Sequence, residues 1–101
     1  MVKLILYDIS NDRPRTHLAR WLDAEGFDRI QYSVFVGKTT RYRWDKLYPE
    51  LQEWFEEHCQ TEDRLYAIVL DSNHFRRTEM LGVPLDTEWI LQTVDAWFPM
   101  G

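Results

Sequence analysis

The sequence predicts an α+β domain of the ferredoxin-like βαββαβ kind, a two-layer sandwich with an extra C-terminal strand and helix. Three observations predict it. Short β-forming runs alternate with two longer amphipathic stretches, and glycine or proline stands at several joints. The 101 residues suffice for one domain and not for two independent cores. The chain is 45% hydrophobic and 15% aromatic, which excludes disorder. A domain this small buries only about two thirds of the surface its unfolded chain exposes, so an obligate partner would help it.

Val2 to Tyr7 is apolar, rich in β-formers and too short for a helix, and it ends at Asp8. Ser10-Asn11-Asp12 is a turn cluster. Pro14 suits a first helical residue, with Asp12 or Arg13 as cap, while Leu18, Trp21 and Leu22 fall at helical spacing and Gly26 supplies the stop. Arg29 to Val36 is β-prone and ends at Gly37, either as one bent strand or as two joined near Tyr32-Ser33. Lys38 to Lys46 reads as a polar, basic and aromatic loop, and Pro49 as the opening of a second helix. In that helix Leu51, Trp54, Phe55 and His58 or Cys59 share one face, opposite the solvated Glu50, Glu53, Glu56 and Glu57. Leu65 to Leu70 is a further strand, 72–77 a polar loop, and Glu79-Met80-Leu81 a short strand before the break at Gly82-Val83-Pro84. Asp86 or Thr87 caps a last helix with Ile90, Val94, Trp97 and Phe98 on its apolar face, and Trp89 also reads as core or interface. The domain accordingly runs over 1–85, with 86–101 as a helical tail packed on it or on a dimer partner.

Two strand–helix–strand units in series imply an antiparallel sheet of order 4-1-3-2. That order places Asp8 near Ser33 or Val34 and near Arg64, with Asp71 at the opposite edge of the sheet.

Most catalytic templates fail. The four glycines make no phosphate-cradling loop, and His17, His58, His74 and Cys59 have no zinc spacing. His58, on a helix face beside Cys59, reads as a partly buried packing residue. A single cysteine allows no intrachain disulfide, no apolar run approaches the ~20 residues of a membrane span, and the N-terminal run is too short for a signal peptide. These features predict a soluble cytoplasmic protein with no membrane association. Asp8 is the sharpest candidate, because a strand-end carboxylate suits Mg²⁺; Asp is also an ordinary turn residue there. One Asp per chain is few ligands for phosphodiester chemistry, and a twofold dimer joining two Asp8 side chains would supply the second.

A net charge of −5 argues at first against nucleic acid. Residues 1–46, however, hold nine Lys/Arg against six Asp/Glu, and 47–101 hold three against eleven. Arg13 and Arg15 flank a helix N-terminus, and Lys38, Arg41, Arg43 and Lys46 interleave with Tyr42 and Trp44. This pattern suits a nucleic-acid backbone; it suits equally a solvated loop whose aromatics pack on the core.

Tyr7-Asp8-Ile9, Arg13-Pro14-Arg15 with Leu18 and Leu22, Gly26-Phe27, and Arg29-Ile30-Gln31-Tyr32-Ser33-Val34-Phe35 with Gly37 resemble one family. It is the small CRISPR-associated spacer-acquisition subunit, also described as an endoribonuclease. The likeness covers residues 3 to 37 and continues more weakly through 65–70 and 80–83. Pro14 between the arginines, and Val36 where the family often has an acidic residue, are departures.

The resemblance implies a ferredoxin-like homodimer whose paired Asp8 carboxylates bind Mg²⁺ and serve as the catalytic centre of a metal-dependent endonuclease. Tyr7, Arg13, Arg15, Ser33 and Phe35 match the aspartate's neighbourhood. It also implies service beside a larger integrase subunit, with the dimer bridging duplex DNA and its own nuclease chemistry weak or dispensable. Single-stranded RNA is the other implied substrate. Residues 79–82 would then add to a partner's sheet edge. The alternative is a free-standing metal-dependent endoribonuclease of the VapD toxin type.

Overall fold

The computed structural model of the chain describes residues 1–92. Strand β1 (Val2–Asp8) leads through helix α1 (Asp12–Ala24) to β2 (Asp28–Gln31) and β3 (Val34–Lys38). Helix α2 (Arg41–His58), strand β4 (Arg64–Leu70) and two short helices, α3 (Ser72–Arg76) and α4 (Thr87–Gln92), follow. The sheet order is β2-β3-β1-β4, antiparallel at every pair. This is the expected 4-1-3-2 arrangement, and Arg29 to Gly37 resolves into two strands joined at Tyr32-Ser33.

Side-chain alternation along β1 divides the molecule into layers. Ile5 and Tyr7 point to α1 and α2, where they pack with Leu18, Leu22, Phe35, Leu47 and Leu51. Val2 and Leu4 point the other way, to a smaller cluster with Val36, Phe75, Ile90 and Leu91. Helices α3 and α4 thus cover only the end of the second face where Val2 pairs with Lys38 and Leu70. Toward the other end no described residue covers that face, with Tyr66 56% and Ile68 45% exposed. Among the described residues β4 is an edge strand.

Several expectations are corrected. Residues 41–46 are not a loop: α2 begins at Arg41, after the Thr40 hydroxyl accepts the Arg43 amide. Trp44, Leu47 and Leu51 are its buried residues, so Pro49 lies inside the helix instead of opening it. Burying an indole and two leucines contributes roughly 5–9 kcal/mol, which exceeds the ~3 kcal/mol that an interior proline costs. Residues 72–76 form α3 instead of a loop, because the Asp71 carboxylate accepts the His74 amide as a cap. No strand forms at 79–81; Leu81 is fully exposed and finds no ladder partner within the described residues. Helix α1 is capped at Asn11, not at Asp12 or Arg13, and Pro14 is its third residue. Asp86 caps α4 by accepting the Trp89 amide, and Trp89 itself is 60% exposed, not core. Val94, Trp97 and Phe98 lie outside the described residues.

Gly26 and Gly37 fix the geometry around β2 and β3. Gly26, at φ 93°, ends α1: its amide bonds to the Asp23 carbonyl and that of Phe27 to Leu22. Gly37 lies against Phe27, where an added Cβ would stand 2.6 Å from the ring. Gly37→Ala is therefore expected to cost roughly 1–3 kcal/mol through overpacking, read as a lowered midpoint in urea with unchanged m.

Candidate active site at the end of strand β1

Asp8 is the last residue of β1, exposed, and directly opposite Arg64 of β4. By alternation it shares the second face with Leu4 and Leu6, so it stands at the rim of the open half of that face. The β2–β3 turn comes to the same end, where the Tyr7 amide donates to the Ser33 carbonyl at 3.1 Å.

The loop after β1 is held from two sides. Asp63, just before β4, accepts the Ser10 amide at 3.0 Å, the Ser10 hydroxyl at 2.9 Å and the Gln60 amide at 2.8 Å. The Gln60 amide, followed by the two donors of Ser10, holds the Asp63 carboxyl below its ordinary pKa. From the other side the Arg15 guanidinium donates to the carbonyls of Ile9 at 3.0 Å and Ser10 at 3.4 Å, and pairs with Asp12. Arg15 thus positions the loop that carries Asp8.

Beneath that loop is a cluster of two guanidiniums and three rings. Arg29 donates to the Tyr32 carbonyl at 3.0 and 2.6 Å, and lies 4.9 Å from the Tyr32 ring and 5.5 Å from that of Phe35. Arg15 lies 5.8 Å from the same Tyr32 ring, and Tyr7 stacks on Phe35 at 6.3 Å. The Tyr7 hydroxyl is buried and has no hydrogen-bond partner among the described residues. Burial pushes its pKa up, and the Arg29 charge pulls it back. Tyr7, Phe35 and Arg15 therefore lie behind the aspartate on the helix side of the sheet, while Asp8 faces away from them. Arg29 and Asp63 carry no role in the reading of the sequence. The alternation of the 29–36 run was the signal for Arg29, since it sets the exposed Arg29 on the same face as Phe35.

The basic residues do not form one patch. Arg13 and Arg15 are at the Asp8 end. Lys38 pairs with Val2 at the opposite end of the sheet, and α2 starts there with Arg41 and Arg43. The Arg43 guanidinium donates to the Glu25 carbonyl at 3.2 Å, tying α2 to the end of α1. Cys59 is unsuited to nucleophilic work: burial, and then Asp63, raise its pKa. His58 is exposed, in place of the expected partial burial, with its ring 6.1 Å from Trp54.

The family described as CRISPR associated protein Cas2 matches residues 1–78. The chain belongs to the Cas2 family. A "CRISPR-associated endoribonuclease Cas2" from Aeropyrum pernix is 34% identical over 83 residues, 82% of this chain and 87% of that protein. One from Chloroflexus aurantiacus is 38% identical over 83 residues, covering 82% and 94%. The solved Streptococcus pyogenes Cas2 is 25% identical and superposes with a TM-score of 0.65 over 81% of this chain and 100% of its own. The fold and the CRISPR association of this Cas2 chain stand on these likenesses. Among its described residues no helix is long and apolar enough to cross a membrane.

Proposed function

We propose that this Cas2 chain acts in CRISPR adaptation as a homodimer that bridges duplex DNA beside a larger integrase subunit in the cytoplasm, with Mg²⁺-dependent endonuclease activity centred on Asp8. The observation that carries the reading is the position of Asp8 at the rim of an apolar sheet face that no described residue covers. An isologous contact over that face buries Tyr66 and Ile68 and brings the two aspartates toward one axis. The exposed Leu81 and Val83 of the 79–83 segment supply apolar side chains for addition to the partner's free β4 edge.

The metal fits such a dimer and not a single chain. Among the described residues no three His, Cys, Asp or Glu gather as a ligand set. Mg²⁺ takes one or two carboxylates and keeps several waters, so Asp8 from each protomer would hold it. When bound it polarises a phosphoryl oxygen and lowers the pKa of its water. The chain's own contribution is positional. Asp63 and Arg15 fix the Asp8 loop; Ser33 fixes the end of β1 through its carbonyl; Tyr7, Phe35 and Arg29 form the packed support behind it. Arg13, at the same end, and Arg41 and Lys38, at the other, offer charge to the backbone of a bridged duplex, with Arg43 holding α2 in place. The acidic second half of the chain offers a complementary surface to a basic partner subunit.

The second reading is a free-standing metal-dependent endoribonuclease acting on single-stranded RNA, favoured by the endoribonuclease names of the relatives. Purification of the chain with the integrase subunit from its own CRISPR system separates the two. Recovery of a complex that retains short duplex DNA is expected. Recovery of the chain by itself, with full RNA cleavage and no duplex retention, would overturn the adaptation reading in favour of the second.

A further inference from the structure

Away from Asp8, on the outer side of the helical layer, α1 and α2 run side by side and leave a groove between them. Arg13, His17, Arg20 and Trp21 recur at i, i+4, i+7 and i+8 along α1, which places them on one stripe. Trp54 and His58 of α2 face that stripe. One end of the groove is a cleft of about 690 Å³ lined by Arg13, His17, Trp54 and His58, and the other end is lined by Arg20, Trp21 and Glu50. The His17 ring stacks on Trp54 at 5.6 Å and 27°, and Trp21 meets Trp54 edge-on at 5.9 Å. The two indoles also rest on the core, so the floor is rigid, whereas His17 is exposed.

From these contacts we infer that the groove is a base-stacking site for single-stranded nucleic acid, with the sugar–phosphate backbone along α1 and the bases directed onto His17 and Trp54. The charges set this polarity. Arg15 and Arg43 are occupied by backbone carbonyls, but among the described residues Arg13 and Arg20 are engaged by no hydrogen bond or ion pair. They stand about 10 Å apart along α1 at 1.5 Å rise per residue. Glu50, Glu53 and Glu57 line the α2 side and repel phosphate. A strand is thereby confined to the basic side, and its bases turn toward the rings. Base–aromatic stacking is sequence-tolerant, and a duplex, whose bases are already stacked, cannot use it. Because α1 begins four residues after Asp8, the Arg13 end of the groove opens beside the loop that carries the aspartate. The site would hold an unpaired flank of a nucleic acid engaged there.

The inference takes from the proposed function only that the chain binds nucleic acid. Fluorescence anisotropy in chelator, with a labelled hexauridylate and an abasic oligomer of equal length, tests it on the intact chain. Wild type should bind hexauridylate more tightly. His17→Ala, an exposed change, should weaken hexauridylate about 5-fold or more and leave the abasic oligomer unaffected. Arg20→Gln should weaken both and reduce the salt slope by about one. Equal wild-type affinity for the two oligomers, or hexauridylate affinity unmoved by either variant, would overturn the groove alone. A His17→Ala variant that keeps hexauridylate affinity but releases a bound protein would show a protein-docking surface and overturn it likewise. Binding of neither oligomer, nor of duplex, would overturn both this site and the nucleic-acid reading of the whole chain.

Discussion

Replacing Asp8 by Asn is expected to lower Mg²⁺-dependent cleavage at least about 100-fold while the protein stays folded. The substitution keeps the size and one carbonyl acceptor of the side chain but removes its charge. In a twofold site each replacement acts twice, so both carboxylates are lost from one ion. A bound metal contributes several kcal/mol to a phosphoryl-transfer barrier, and each 1.36 kcal/mol is tenfold in rate. Asp8 is exposed and its side chain makes no hydrogen bond among the described residues, so its replacement should not disturb packing. Single-turnover cleavage of RNA and duplex DNA across a Mg²⁺ titration, with circular dichroism as control, provides the measurement. Binding of duplex should persist. Cleavage that survives in Asp8→Asn would remove Asp8 from the catalytic centre.

If the proposed dimer forms over the open sheet face, Ile68→Asp should leave the chain monomeric at micromolar concentration. Ile68 is 45% exposed in the single chain, so the protomer tolerates a carboxylate there. Across a twofold contact the same change buries two unpaired like charges, a cost of several kcal/mol, which raises the dissociation constant on the order of a thousandfold. Light scattering over a dilution series reads the change directly. Cleavage should fall together with dimer content, because separated protomers present one Asp8 each. A variant that remains dimeric would place the interface elsewhere on the surface.

Much of this arrangement is legible in the residues. The apolar run of β1 ending at a charge, the Gly26 stop and the strand order together bring Asp8 to Arg64 and to the Ser33 turn. Segment 41–49 was misleading, for a physical reason. Its buried residues Trp44 and Leu47 are separated by Asp45 and Lys46 and flanked by Arg43 and Tyr48, and Pro49 ordinarily marks a helix start, so the cap at Thr40 passes unnoticed. Tertiary burial outweighs the local signal there. The 79–81 segment has strand composition, but a strand exists only where an edge is available to it, and local composition does not supply one. Charge balance shows that the first half is basic. It does not show that Lys38 and Arg41 lie at the opposite end from Arg13 and Arg15, which depends on where each strand terminates.

The strand order also bears on how the chain is synthesised. β1 is made first, yet it is a central strand whose neighbours are β3 and, more than fifty residues later, β4. Non-local pairings of this kind are slow to form, because loop closure must precede them. A nascent chain emerging from the ribosome therefore holds β1 with one hydrogen-bonding edge open until residue 70 has left the exit tunnel. The Asp8–Arg64 register, and the Asp63 bonds to Ser10, are among the last parts of the sheet to be completed. The aspartate's surroundings are thus a product of the finished fold, and an abandoned chain ending short of β4 would carry Asp8 without Arg64 opposite it or the Asp63 bonds that hold its loop.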